Sequence, residues 1–259
     1  MSFSSCLTKE RISRSFDRAH ASYVRYASVQ AEAARACADL IPPGRYGSIL
    51  EIGAGGGVLT HPAARRFGHD RYVAVDIAPR MLESIDVSQL DNPELVVADG
   101  EHLDFEPGAF DLLLSSSTMQ WYAHPGESIP ANLGLLRPGG RFSLSIFVRG
   151  SLCELAEACA ATGFGSMLSM RPAGYYVSLL EGMDGLRFQW EVREHVSVHG
   201  SVREFLKAHQ ATGATATQRK KPARPKAYRE FIRFYETRFS VPGGVRATSQ
   251  VLHLWGQRL

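Results

Sequence analysis

The sequence predicts an α/β fold, a twisted and mostly parallel sheet with helices on both faces. Two observations carry this reading. Between Gly47 and Val148 short apolar runs alternate with helical stretches, at a spacing that suits right-handed crossovers between parallel strands. Within that region a glycine-rich turn, Leu50 to Thr60 (LEIGAGGGVLT), directly follows one apolar run and opens a helix. At 259 residues, 44% hydrophobic and 21% charged, the chain has room for one large α/β domain with a small added layer.

The elements follow in order. Residues 8–41 are rich in Ala, Arg and Glu and free of Gly until Pro42-Pro43-Gly44, so they form one or two helices, a helical cap before the core. In the core, residues 47–148, the strands expected are Ser48–Ile52, Tyr72–Asp76, Glu94–Ala98, Phe110–Ser115 and Arg141–Phe147. Helices are expected over Leu59–Phe67, Pro79–Ile85 and Glu127–Leu136. The rhythm changes over residues 149–259. Helices are expected at Ser151–Ala161, Arg171–Leu180, Val202–Gln210 and Pro225–Phe239, and a last strand at Arg246–Trp255. From Leu186 to Val198, apolar Phe188, Trp190, Val192, Val196 and Val198 alternate with polar residues, the period of a half-buried strand near a sheet edge. The whole reads as a single domain, 1–259, with a mixed sheet and a lid over one end.

Composition excludes several classes. A net charge of +3 is too mild to demand nucleic acid, and none is expected as a partner. No stretch approaches eighteen apolar residues and no signal peptide is visible, so a cytoplasmic protein without membrane segments is expected. Cys6, Cys37, Cys153 and Cys159 form no CxxC pair and read as reduced, mostly buried thiols. The nine histidines form no ligand cluster, and no metal is expected.

The candidate site lies at the strand ends. Gly53, Gly55 and Gly57 let the backbone turn sharply and approach a ligand closely. Val58 stands where a dinucleotide fingerprint needs its third glycine, and no Gly-Lys-Ser/Thr is present for a phosphate loop. Asp76, ending the next strand, is placed to accept both hydroxyls of a ribose; alone it reads as a cap for the helix near Pro79. Asp99 ends the third strand, where a carboxylate can accept an adenine amino group while the Gly100 and Glu101 amides face ring nitrogens. The fourth strand ends in Ser115, Ser116 and, further on, Gln120, which would floor the same edge.

These four strand ends in this order, with Gly139-Gly140 leading into the fifth strand, resemble the class I S-adenosylmethionine methyltransferases. The resemblance implies a Rossmann-like, mostly parallel seven-stranded sheet with N-terminal and C-terminal lid helices. It implies S-adenosylmethionine as cofactor and S-adenosylhomocysteine as product. By it, Glu51 holds the methionine amino group directly or through water, and Gly53, Ala54, Gly55, Asp76, Ile77, Met81, Asp99, Gly100, Glu101, Ser115, Ser116 and Gln120 surround the cofactor.

Outside the core the chain resembles the malonyl-carrier-protein O-methyltransferases of the biotin pathway. Phe16, Ala21, Tyr23, Ala27 and Gln30 match the pattern of that family's N-terminal helix, Gln120-Trp121 its Gln-Trp motif, and Leu206-Lys207 with Gly213-Ala214 its late helix. Gln-Trp and a similar first helix also occur in the trans-aconitate methyltransferases. Two departures stand out: Gly56 replaces a usual Thr or Ser, and the connector after Gly213 is ATATQRKKPARPK.

The implied acceptor is the free carboxylate of malonyl on an acyl carrier protein or coenzyme A, esterified at the start of pimeloyl synthesis. The alternatives are another small carboxylate such as trans-aconitate, or a cofactor-binding protein without catalysis. Tyr23, Gln120 and Trp121 are the candidate catalytic residues. Tyr23 closes the site and donates one hydrogen bond, or packs under a helix; with Gln30 it also belongs to the candidate cofactor set. Trp121 walls an acyl pocket or packs in the core. Lys207 meets the substrate carboxylate or the carrier's phosphate, or stays solvated. The basic run Arg219, Lys220, Lys221, Arg224 and Lys226 is a solvated loop or a dock for an acidic carrier.

Overall fold

The computed structural model describes residues 8–214 and 225–259. The cap is two helices, α1 (Lys9–Tyr26) and α2 (Ser28–Asp39), which break at the fully buried Ala27. Next come β1 (Gly44–Arg45), β2 (Ser48–Ile52), α3 (Thr60–Arg66), β3 (Phe67–Gly68), β4 (Arg71–Asp76), α4 (Pro79–Glu83) and β5 (Pro93–Val97). The core closes with β6 (Phe110–Ser116), a 3-10 turn (Met119–Trp121), α5 (Pro125–Gly134) and β7 (Leu136–Phe147). The last third holds α6 (Cys153–Thr162), α7 (Ala173–Glu181), β8 (Leu186–His199), α8 (Val202–Ala211), α9 (Pro225–Phe239), β9 (Ser240–Val241) and β10 (Gly244–Arg258).

The main sheet runs in the order β5-β4-β2-β6-β7-β10-β8, with β9 beside β10. The first five strands are parallel, and β10 pairs antiparallel with both β7 and β8. Successive residues of a strand point to opposite faces, and here both faces are packed. Leu50, Val73, Leu113 and Phe142 belong to one core, while Ile49, Tyr72, Leu112 and Leu114 belong to the other. That is why these strands read as continuous apolar runs. Strand order reverses at β2, with β4 on one side and β6 on the other, and an open α/β sheet forms its ligand crevice at such a point. A third cluster, with Leu155, Phe205, Phe231 and Tyr235, joins α6, α8 and α9.

The β8 alternation lies the other way round from the sequence expectation. Trp190, Val196 and Val198 are 51%, 54% and 52% exposed. Packing of the α7 side reaches Leu186 and Phe188, and the apolar side chains further along stand uncovered. The polar face turns inward instead: His195 meets Glu32 of α2, while Ser197 and His199 line a cavity under α8. β7 also begins earlier than expected, at Leu136, with a register irregularity against β6 between Phe110 and Leu112. None of the three described cysteines forms a disulfide; Cys37 is buried and Cys153 is exposed rather than buried. Among the described residues no helix is long and apolar enough to cross a membrane, and no group of His, Cys, Asp and Glu is placed to hold a metal.

Candidate active site

Two adjoining cavities open at the strand ends. The first is a narrow cleft of about 70 Å³ lined by Gly53, Gly55, Asp76, Ile77, Met81, Asp99, Gly100 and Ser116. Positive φ angles at Gly53 (+77°), Gly55 (+51°) and Gly57 (+81°) turn the loop over the end of β2. The Asp76 carboxylate ties that loop to the start of α4: Oδ2 accepts from the Gly55 amide and Oδ1 from the Ala78 amide, both at 2.8 Å. Each oxygen keeps a second lone pair. Burial pushes its carboxyl up to about 6 despite these bonds. At Gly100, any Cβ would lie 2.7 Å from Ile52 Cγ2 and from the Tyr122 hydroxyl, so the backbone alone fits there.

Helix α1 lies across this cleft. Lys9 Nζ sits 2.9 Å from Asp99 Oδ1 and also pairs with Glu101, and Ser13 Oγ donates to the Ile77 carbonyl at 2.9 Å. Lys9, Ile12, Thr118 and Tyr122 also line it and stand outside the expected set, because a lysine at the start of a polar helix carries no mark of a site.

The second cavity is larger, about 650 Å³, and shares Phe16, Tyr23, Ser117 and Trp121 with the cleft. Phe16 packs edge-on against Tyr23 and Trp121, at centroid distances of 6.3 and 5.6 Å. Among the described residues no Lys, Arg, Asp or Glu lines it. Burial lowers its two histidines, His209 to about 4, so both are neutral at pH 7. Burial raises the Tyr23 phenol far above the ordinary range, so it remains a donor.

Several expected cofactor contacts fall elsewhere. Glu51 is fully buried behind the loop, where Oε2 accepts from Thr60 Oγ1 and the Tyr72 hydroxyl at 2.7 Å, and it does not line the cleft. Strand alternation sends it to the α3 side. The Ala54 methyl packs into the core, and Ser115 is buried with its hydroxyl on the Ile52 carbonyl. The Glu101 amide is used by Asp99 Oδ1 at 3.1 Å, and its carboxylate caps α5 through the Ala123 and His124 amides. Gln30 and Gln120 line the larger cavity, not the cleft. Gln120 Nε2 donates to the Ser117 carbonyl, while its Oε1 is buried without a partner. Lys207 is exposed on α8, whose periodicity turns Leu206 and His209 inward. Arg219, Lys220, Lys221 and Arg224 lie outside the described residues, and Lys226 is exposed, 3.8 Å from Glu230.

Burial pushes Glu51 up to about 7, against the lowering by its bonds from Tyr72 and Thr60. A raised carboxyl stabilises the fold below its unfolded pKa, and that contribution is lost as pH rises through the folded value. Wild type should therefore lose on the order of 3 kcal/mol between pH 5 and 8.5 from this group. Glu51→Gln should flatten that fall. Denaturant midpoints at both pH values check it; parallel slopes for the two proteins would refute it.

Residues 50–144 match a family model described as a methyltransferase domain. The malonyl-[acyl-carrier protein] O-methyltransferase of Hahella chejuensis is 29% identical over 216 residues, covering 83% of this chain and 77% of that protein. The one from Acetivibrio thermocellus is 26% identical, covering 97% and 95%. The biotin biosynthesis bifunctional protein of Bordetella avium is 32% identical over 81% of this chain, and the match spans 45% of that longer protein. Among solved structures, the YcgJ protein of Bacillus subtilis superposes with a TM-score of 0.64 at 12% identity, covering 88% of this chain and 99% of that one. A geranyl diphosphate methyltransferase in complex with S-adenosylmethionine superposes at 0.52 and 17% identity, covering 90% and 85%.

Proposed function

We propose that this chain, a class I S-adenosylmethionine-dependent methyltransferase, esterifies the free carboxylate of malonyl carried on an acyl carrier protein, the first step toward a pimeloyl chain for biotin. The observation that carries the reading is the junction of the two cavities. A polar cleft with two strand-end carboxylates meets an uncharged cavity through a shared wall of Phe16, Tyr23, Ser117 and Trp121. The relatives named malonyl-[acyl-carrier protein] O-methyltransferase support the same acceptor.

The cleft suits the cofactor by its donor and acceptor set. Asp76 offers lone pairs to a ribose diol, and Asp99 offers them to an adenine amino group once Lys9 withdraws. The present opening of about 70 Å³ is far below the roughly 300 Å³ of a small-molecule pocket, so admission requires α1 to lift. When bound, S-adenosylmethionine supplies an electrophilic methyl group on a sulfonium sulfur.

The protein needs no general base for this acceptor. A carboxylic acid with a pKa of about 4 is already ionised at neutral pH. Charge is neutralised as the carboxylate attacks, so a dry and uncharged cavity favours the transition state over the separated ions. Tyr23 and Trp121 then have positional tasks: closing the wall between the cavities and aligning the acceptor, worth several kcal/mol in effective concentration. Tyr23 also donates one hydrogen bond. Tyr23→Phe should lower kcat about tenfold with little change in cofactor Kd. Wild-type turnover in that variant would return Tyr23 to packing.

The acceptor is tested by incubating the protein with S-adenosylmethionine and malonyl-loaded carrier, then weighing the carrier. The expected result is a gain of one methyl group that mild ester hydrolysis removes. An unmodified carrier beside methylated trans-aconitate would overturn the malonyl assignment, and malonyl-coenzyme A in a third arm measures the need for a carrier. If the run Arg219–Lys226 steers an acidic carrier, the rate should fall as salt rises.

A further inference from the structure

We propose that the acceptor cavity also takes aliphatic monocarboxylic acids and presents their carboxylate for esterification, an inference that rests on the methyl-transfer reading above. A malonyl group has three carbons, and a pantetheine-type arm is rich in amides. Polar side chains of the lining, Gln30, Ser166, Ser197 and Ser249 among them, suit such an arm, and Ser166 Oγ is buried without a partner. The apolar part of the lining has no such counterpart in that acceptor. Phe147, Leu155, Phe164, Met167, Met170 and Phe205 all face the same space, drawn from two different packing clusters.

A wall of this kind gains by burying methylenes and offers amides nothing to bond. At roughly 30 Å³ per methylene, about the share of a water molecule in the liquid, a ten-carbon chain takes about half of the 650 Å³ cavity. Among the described residues no lining side chain is charged, so none of them repels or pairs with a neutral chain. The carboxylate belongs at the cleft end, where the protonated Tyr23 hydroxyl is the donor and the wall is common to both cavities. A carboxylate oxygen forms the new C–O bond to the methyl carbon while the S–CH₃ bond breaks and leaves its electron pair on sulfur. No proton moves, and a carboxylate and a sulfonium become an ester and a thioether.

The experiment titrates hexanoate, octanoate and decanoate into the full-length protein by calorimetry without cofactor, then with S-adenosylmethionine extracts and weighs the product. Each added methylene should tighten binding about three- to fourfold, and methyl decanoate should form. Leu168→Asp, on the cavity wall in a loop, should weaken decanoate at least tenfold, with the melting temperature recorded as a check on folding. Should that variant fail to fold, the chain-length series in wild type decides alone. Absent binding, an affinity that does not change with chain length, or binding without ester formation overturns the proposal. Malonyl-loaded carrier in a parallel arm separates the two readings. Methylated carrier with inert decanoate sinks this inference alone, and two inert acceptors sink the methyl-transfer reading with it.

Discussion

Replacing Gly53 by alanine should destabilise the fold by about 2–5 kcal/mol and abolish measurable cofactor binding, a loss far out of proportion to one methyl group. A Cβ on Gly53 would stand 1.9 Å from Thr118 Oγ1, 2.5 Å from its Cγ2 and 2.6 Å from its Cβ. The φ of +77° adds the strain of a left-handed residue that carries a side chain. Thr118 cannot step aside cheaply. Its hydroxyl donates to the Ser116 carbonyl at 3.1 Å, and it begins the turn that carries Gln120 and Trp121. The added methyl therefore pushes the glycine loop and the turn of residues 118–121 apart together.

The melting temperature should drop on the order of 10 °C. Thr118→Ala in the same chain should restore only part of it, because the Cβ of residue 118 stays within 2.6 Å. Gly55→Ala is the contrast. Its Cβ would meet Met81 Cε at 3.4 Å and Tyr23 Cε1 at 3.8 Å, ordinary contacts, so only the strain at φ +51° remains, about 1–2 kcal/mol. Thermal melts and calorimetry with S-adenosylmethionine on the three variants check the ordering. Equal losses at Gly53 and Gly55 would mean that Thr118 does not decide the matter.

The contrast also shows which parts of the site sequence could reach. Gly53, Gly55, Asp76, Asp99 and Gly100 were legible because each sits at a fixed offset from the end of an apolar run, and strand ends in a parallel sheet converge on one edge. The same offset does not bring Glu51 into the lining of the cleft. It is two residues short of the loop, and strand alternation sends it inward to Thr60 and Tyr72. Gln30 and Gln120 line the larger cavity rather than the cleft, and nothing in their spacing says which side of Tyr23 they face. The period of two in β8 gave the strand. It did not give its facing, because the buried side was set by where α2 and α8 lie, which is a tertiary fact. Lys9 left no trace in the pattern at all: its role comes from two acids some ninety residues away.

Asp76→Ala should weaken S-adenosylmethionine binding by about 1.5–3 kcal/mol, roughly ten- to a hundredfold, while the fold survives. Two losses add up. The carboxylate no longer accepts from the ribose hydroxyls, and it no longer pins the Gly55 amide of the glycine loop. The pH dependence separates these effects from general damage. With the carboxyl pushed up to about 6 by burial, the acceptor form is present above that pH and disappears below it. Wild-type affinity should therefore fall as pH is lowered from 7 to 5, and Asp76→Asn should show a weaker but flat profile over the same range. Stability moves in the opposite sense. A raised carboxyl costs the folded state more as it ionises, so the variant should be less destabilised relative to wild type at pH 8 than at pH 5. Affinity lost most at high pH, where the stability cost is least, cannot be attributed to unfolding. Calorimetric titrations and denaturant melts at the two pH values test both signs, and an unchanged cofactor affinity in Asp76→Ala at pH 8 would remove Asp76 from the ribose.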